Sequence, residues 1–400
     1  MPKRILILDC GPGIARVIAE ARALGYCAVV FSEDDAAPHT QTANEVRTGE
    51  CLDPTQVMHA IEECKIDGVF PPFGHCSFPA AFAANRSNMP ALTDVAAAWM
   101  QYKHNGFAVL EKLGVHAVKL HVAETAVQAE EAARDLGMPV WIGSDETYSQ
   151  TGIYQVDQIE DTALAFSQAT RHSLVKTAVV MRPVRGLAFY IDGIVLDGTF
   201  HLSGLIGRDT GEPPFRFDRG LFAPPALSPR ERDEIVGVAV KALDALECRN
   251  GCVHAGVIMT DEGPVVMDVL GAPSALRFPA DILLRAHGVD TLANALRFAA
   301  GEPPRFEAAS NRGAALFWIP ARSGVVTEIR GIEEARGVPG VEEVVMELRP
   351  GDVMRHAVDC ETRDRVGYVL ATGDDAEAAA SAARQALEAL DIVTQPSFLS

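Results

Sequence analysis

The chain reads as a mixed fold, an α/β domain with a parallel sheet followed by α+β lobes, and three stretches carry that reading. In the first, the apolar strand Arg4 to Asp9, the loop Gly11-Pro12-Gly13, an amphipathic helix from about Ile14 to Leu24 and a strand Ala28 to Phe31 make a βαβ unit with a right-handed crossover. The second is Cys252 to Phe278. Here Val253, Ala255, Val257 and Met259 alternate with His254, Gly256, Ile258 and Thr260, and Asp261-Glu262-Gly263 turns the chain into the apolar run Val265 to Val269, the pattern of a β-hairpin. The third is Arg312 to Ile392, where GAALFWIPARSGVV, GIEEARGVPGVEEVVM and RDRVGYVLATG precede an alanine-rich helix from Asp375 to Leu390.

Length and charge bound the rest. At 400 residues and 48% hydrophobic content, a prior of about one domain per 150 residues gives two to three well-buried domains. No run of 18 or more residues is apolar throughout, and the opening MPKRILILDCGPG turns polar too soon for a signal peptide, which predicts a cytoplasmic protein that does not enter a membrane. Eight scattered cysteines fit reduced thiols in that compartment. A net charge of −19 argues against nucleic acid and anionic membrane surfaces, whose phosphates would repel it.

Taken in order, Pro54 to Lys65 is a helix and Asp67 to Phe70 a strand, completing a small doubly wound parallel sheet. Its glycine loop lacks a full Gly-x-Gly-x-x-Gly and a placed ribose acid, so tight-turn geometry is favoured over cofactor binding. His75 and Cys76 follow a strand's carboxyl end, where open α/β sheets place ligand contacts; the plainer reading is an ordinary loop. Gln101 to Gly114 is one helix, with Lys112 in its last turn and Gly114 past its end. A helix from Ala123 to Leu136, a strand Pro139 to Ser144, a loop Asp145 to Thr151 and a strand Thr177 to Met181 come next. Strands 187–196 and 199–208 flank the hairpin turn Asp197-Gly198. Asp209 to Pro225 reads as a proline-rich crossover loop whose Arg216, Asp218 and Arg219 are cleft candidates, although solvation is the plainer role for a single arginine. Ser228-Pro229-Arg230-Glu231 opens a helix with a capping box. Cys248, Cys252 and His254 have zinc-like spacing without a fourth ligand. Phe278 to Gly288 is a further helix.

These stretches, in this order, resemble the ATP-grasp ligases, and within them the branch that joins amino acids through an acyl phosphate. In that family the hairpin carries His-x-Glu on one strand and Glu-Ile-Asn-Pro-Arg at the end of the next; here the matching positions are His254-Ala255-Gly256 and Asp268-Val269-Leu270-Gly271-Ala272. Gly288-Val289-Asp290 and Asp364-Arg365-Val366-Gly367 match further family stretches, so the resemblance covers nearly the whole chain. It implies an ATP-grasp fold with four parts. These are a Rossmann-like pre-ATP-grasp domain over 1–98, a small lobe over 99–180, a large lobe over 181–311 and a carboxyl-terminal α+β domain over 312–400.

The resemblance also assigns roles. Lys103 matches the lysine set on nucleotide phosphates, and Gly152 closes the phosphate-covering loop. Met181 and Val184 fall in the adenine-contacting hinge and Asp268 is the surviving magnesium ligand; if the ligase is active with relocated groups, Arg277, five residues beyond Ala272, is the candidate to replace the arginine lost there. His75, Cys76, His254 and Arg216 would line the substrate cleft. The lysine that should reach the α and β phosphates is Gly143, and Asp145 and Glu146 put carboxylates in the lid, where they would repel a triphosphate. Catalysis in such ligases is positioning and charge neutralisation, and losing one electrostatic stabiliser costs about two to three orders of magnitude in rate.

The leading expectation is therefore a degenerate or repurposed member that binds a small amino-acid-like ligand or a partner protein, with weak or absent affinity for nucleotide. The alternative is an active ligase with relocated groups, using ATP and magnesium to form an amide bond. A third is a structural subunit pairing with an active relative; the parent fold often forms homodimers.

Overall fold

The computed structural model describes residues 1–9, 11, 13–146, 153–171, 173, 175–211, 215–273, 278–320, 323–354 and 366–396. Strands β1 (Arg4–Leu8), β2 (Cys27–Ser32), β3 (Glu45–Thr48) and β4 (Gly68–Phe70) form a parallel sheet in the order β3-β2-β1-β4, joined through α1 (Ile14–Ala23) and α2 (Pro54–Cys64). Both faces are covered, as a parallel sheet requires. Ile5 and Ile7 pack with α1 and with Leu292 and Leu296 from late in the chain, while Leu6 and Leu8 pack with α2 on the other side. Beyond β1, the Asp9 carboxylate accepts from Gly11 N at 2.8 Å and Ser32 Oγ at 2.6 Å and lies 3.0 Å from His39 Nε2. An internal carboxylate thus takes the Gly11 amide, a donor that a phosphate would need.

After α3 (Ser77–Arg86), the single helix expected from Gln101 is in fact two, α4 (Asp94–Gln101) and α5 (Lys103–Lys112). Tyr102, extended at φ −122° and ψ 128°, breaks them. The small lobe follows as β5 (His121–Ala123), α6 (Ala126–Leu136), β6 (Val140–Ser144), β7 (Ile153–Val156), α7 (Thr162–Ala169) and β8 (Ala178–Met181). Its helices close a core of Ala129, Ala133, Val140, Ile142 and Val180.

The large lobe begins with the hairpin β9 (Leu187–Leu196) and β10 (Thr199–Thr210) around Asp197 and Gly198, both at positive φ, the backbone that an Asp-Gly turn supplies. The expected crossover loop is largely structured. β11 (Phe215–Arg216) adds to β7 of the small lobe, and β12 (Asp218–Ala223) pairs with β10. Sequence reading missed β12 because prolines flank it and Asp218-Arg219 opens it with two charges. The lobe continues through α8 (Pro229–Ala245), the hairpin β13 (Gly251–Thr260) and β14 (Gly263–Leu270), α9 (Phe278–His287) and α10 (Thr291–Ala299). Ser228 and Glu231 make the full capping box at the head of α8. Ser228→Ala is expected to cost about 1 kcal/mol, read as a lowered midpoint of chemical denaturation.

The remaining elements are β15 (Gly313–Trp318), β16 (Gly324–Arg330), α11 (Ile332–Arg336), β17 (Val341–Met346), β18 (Val353–Met354), β19 (Gly367–Gly373), α12 (Ala376–Ala389) and β20 (Asp391–Gln395). The boundary expected at 312 does not divide the sheet. β15, β19 and β17 continue the large-lobe strands in one eight-stranded sheet, β14-β13-β9-β10-β12-β15-β19-β17, while β18-β16-β20 stand apart. Backbone pairing of β12 with β15 carries the chain across that boundary. The outer edge of β14 is covered by the loop after α5, through Val118 N to Val266 O and Val266 N to His116 O, both 3.0 Å. Among the described residues no helix is long and apolar enough to cross a membrane.

Candidate functional site

A helix begins with unpaired N–H groups and the positive end of its dipole, which makes the start of α5 a place for an anion. Here the anion is internal. Asp145, one residue past β6, accepts from Lys103 N through its backbone oxygen at 2.8 Å and from His104 N through Oδ1 at 2.9 Å, and its Oδ2 lies 2.5 Å from His104 Nδ1. Asp145 is fully buried and Glu146 nearly so, at 0% and 1% exposed. This corrects the expectation that both carboxylates stand in the lid and repel phosphate. They fold inward, Asp145 caps the helix, and Glu146 pairs with Tyr102 through an isolated β-bridge. The Tyr102 phenol is pushed up by burial first, then by the charges of Glu146 and Asp145.

Lys103, the first residue of α5, sends its ammonium to the large sheet, where Nζ lies 3.2 Å from Asp268 Oδ2. The residue matched to a phosphate and the residue matched to magnesium thus pair with each other. Asp268 stands on β14 directly opposite Gly256 on β13, so the two share a face of the sheet. Its other oxygen, Oδ1, is buried and has no hydrogen-bond partner among the described residues. Among those residues no group of three or more histidine, cysteine, aspartate or glutamate side chains is placed to hold a metal ion. Among the described residues the donor set does not fit magnesium-bound ATP. The lysine is spent on Asp268, the helix start on Asp145, and Gly143 and Gly256 bring no side chain. An added Cβ at Gly271 would lie 2.3 Å from Leu92 Cδ1, so a larger residue there requires the leucine tip to move.

The same face holds a second polar cluster that sequence reading largely missed. His254 Nδ1 lies 3.0 Å from Asp192 Oδ1, its cross-strand neighbour on β9. The His254 ring rests on Tyr190 at 4.5 Å between centroids. Tyr190 OH donates to Asp218 Oδ2 at 2.9 Å, Arg208 Nε donates to Asp218 Oδ1 at 2.7 Å, and the Arg208 guanidinium lies over the Tyr190 ring at 4.0 Å. Asp192 is the lone charge in the apolar strand LAFYIDGIVL, and that was the available signal. Only the register of β9 against β13 identifies its partner.

The other sequence candidates divide. Cys76 is fully buried in the first domain's core and is not a cleft residue. His75 lies beside it, stacked on Phe73 at 5.7 Å, with Nδ1 buried. The Met181 side chain belongs to the core, leaving only its backbone for a ligand, and Val184 packs half-buried against that core. The Arg216 backbone lies in β11, with its side chain outside the described residues, and Gly152 and Arg277 also lie outside them. The zinc-like spacing does not assemble. His254 turns to Asp192, burial pushes the Cys248 thiol up to about 12, and Cys252 is raised by burial, then by Cys248 and Asp192. A partly open cavity of about 30 Å³ lies between the first domain and the hairpin, lined by residues such as Phe70, Pro71, Leu92 and Phe298 together with Cys252 and Gly271 of the hairpin.

Residues 316–395 match a family model described as L-amino acid ligase C-terminal domain 2. The crystal structure of an L-amino acid ligase from Bacillus licheniformis is similar at a TM-score of 0.81 and 20% identity, over 98% of this chain and 99% of that one. A formate-dependent phosphoribosylglycinamide formyltransferase of Saccharolobus solfataricus is 23% identical over 397 residues, 96% of each chain. An uncharacterized protein, y4rH of Sinorhizobium fredii, is 28% identical over 211 residues; the match spans 50% of this chain and 43% of that protein. The carboxyl-terminal part of the chain thus matches the C-terminal domain of L-amino acid ligases, and the chain from end to end shares its fold with the Bacillus licheniformis enzyme.

Proposed function

We propose that this protein is a repurposed ATP-grasp protein that neither holds nor turns over magnesium-bound ATP and whose polar sheet face binds a small amino-acid-like molecule. The observation that carries the reading is the Lys103 Nζ to Asp268 Oδ2 pair at 3.2 Å. A cation and an anion that close on each other offer little to a polyphosphate or a divalent ion, because either ligand must first separate them. The internal carboxylate at the head of α5 supports the same reading. Calorimetry with Mg-ATP is expected to show no micromolar binding, and phosphate release in the presence of mixed amino acids is expected to stay at the level of a protein-free control. Saturable micromolar binding of Mg-ATP overturns the proposal.

An active ligase with relocated groups is the second reading. The observation on its side is Asp268 Oδ1, a buried carboxylate oxygen left without a partner among the described residues. Phosphate release that requires both an amino acid and Mg-ATP would establish it.

A further inference from the structure

In the small sheet β18-β16-β20, the middle strand is only half covered. On one side β16 pairs with β20, with Glu328 opposite Val393, Ile329 opposite Ile392 and Arg330 opposite Asp391. On the other side β18 reaches only Gly324 and Val325, and Val326 bonds to Gly351 and Asp352 at 2.8 Å. Past that point, among the described residues, no strand lies against residues 327–330. A groove of about 700 Å³ runs there instead, lined by Thr327, Glu328, Ile329 and Gly331 together with Ile332, Met346 and Leu348. Successive strand residues point to opposite faces, so a groove that touches Thr327, Glu328 and Ile329 in turn follows the edge of the strand and its backbone.

A free edge is a template for another strand, and charged residues on it discourage most candidates. Here the charges are arranged to accept one. Glu328 and Arg330 share a face, pair with each other along the strand and have side chains 52% and 59% exposed. Between them Ile329 turns to the opposite face and packs half-buried against the carboxyl-terminal core. An antiparallel copy of the same strand, related by a two-fold axis at Ile329, places Glu328 opposite the partner's Arg330 and Arg330 opposite the partner's Glu328. Thr327 then meets the partner's Gly331, which has no side chain in the way. Slipping the pairing by two residues sets glutamate against glutamate or arginine against arginine, and like charges directly opposite are destabilising.

We infer that the free edge of β16 is an interface between two copies of this chain, paired antiparallel about a two-fold axis at Ile329. The interface is isologous, the same patch on both subunits, and joins the two small sheets into one. Only residues 327–331 of each copy pair, far less than the contact area of a permanent dimer, so the association is weak and concentration-dependent. It is independent of what the polar face of the large sheet binds.

The test is sedimentation of the full-length chain in about 0.15 M salt, where repulsion between two chains of charge −19 is screened beyond about 8 Å. A monomer–dimer equilibrium is expected between micromolar and near-millimolar concentration. Glu328→Arg alone and Arg330→Glu alone each set like charges across both pairs and are expected to weaken the dimer about ten-fold or more. Mixed together, these two variants are expected to form a heterodimer, read by native mass spectrometry, because the arginines of one face the glutamates of the other. The double exchange Glu328→Arg with Arg330→Glu is expected to dimerise with itself and not with the wild type. Both positions are exposed, and unchanged far-ultraviolet dichroism establishes that the variants are folded; should a single variant fail to fold, the double exchange mixed with the wild type decides alone. A chain that stays monomeric over the whole range, or a dimer that ignores these exchanges, overturns the inference.

Discussion

Asp145→Ala is expected to destabilise the protein by about 2–3 kcal/mol, because it removes a buried carboxylate that makes two side-chain hydrogen bonds at the start of a helix. The His104 N–H then loses its acceptor at 2.9 Å, and the imidazole loses its contact at 2.5 Å. Water can restore part of this, since the His104 side chain is 37% exposed, but it reaches the backbone N–H less easily. The empty volume at a fully buried position adds a cavity term. Asp145→Asn keeps an acceptor for the backbone and is expected to lose about half as much. Thermal and chemical denaturation of the two variants give the ordering. If Asp145→Ala melts with the wild-type protein, the carboxylate does not hold α5, and the claim that an internal anion occupies the helix start falls.

The second large effect is a gain. The combined variant Gly143→Lys, Gly256→Glu, Asp268→Glu, Leu270→Asn and Ala272→Arg is expected to acquire Mg-ATP binding, seen as a rise in melting temperature on adding nucleotide. A ligand present at 100 times its dissociation constant stabilises by about 2.7 kcal/mol. At the first two positions, both buried, there is room for the first side-chain carbon. A Cβ at Gly143 meets only Ile153 Cγ1, at 3.5 Å, and one at Gly256 meets Asp268 Cβ at 3.4 Å, both ordinary contacts. Glutamate at 268 and glutamate at 256 together outweigh Lys103, freeing a carboxylate for the metal. Adding Lys103→Ala to the five changes is expected to weaken the regained binding. The difficult position is Ala272, 3% exposed, where a long arginine must find room. The same set without Ala272→Arg is therefore the control. If the four-fold variant is folded and responds to nucleotide, lost side chains alone silenced the site. If it is folded and unresponsive, the shape of the site, and not the lost side chains alone, keeps nucleotide out.

Much of this protein was legible before any coordinates. The βαβ opening, the 253–269 hairpin, the Asp-Gly turn at 197–198 and the capping box at Ser228 all follow from residues within a few positions of one another. Periodicity, turn chemistry and caps act over that range. The matches at Lys103, Gly143, Gly256 and Asp268 were equally visible, because they need only order along the chain. Tertiary structure decided what those residues do. His104 meets Asp145 across 41 positions and His254 meets Asp192 across 62, and Lys103 reaches Asp268 only when α5 lies beside the edge strand β14. Strand register and helix placement set these distances, and both come from the burial of entire faces, which no short stretch encodes. Hence the acidic pair at 145–146 read as a repulsive lid but folded into a helix cap, Asp218 read as a loop residue but sits in the sheet, and Asp192 was only one charge in an apolar strand until β13 was laid against it.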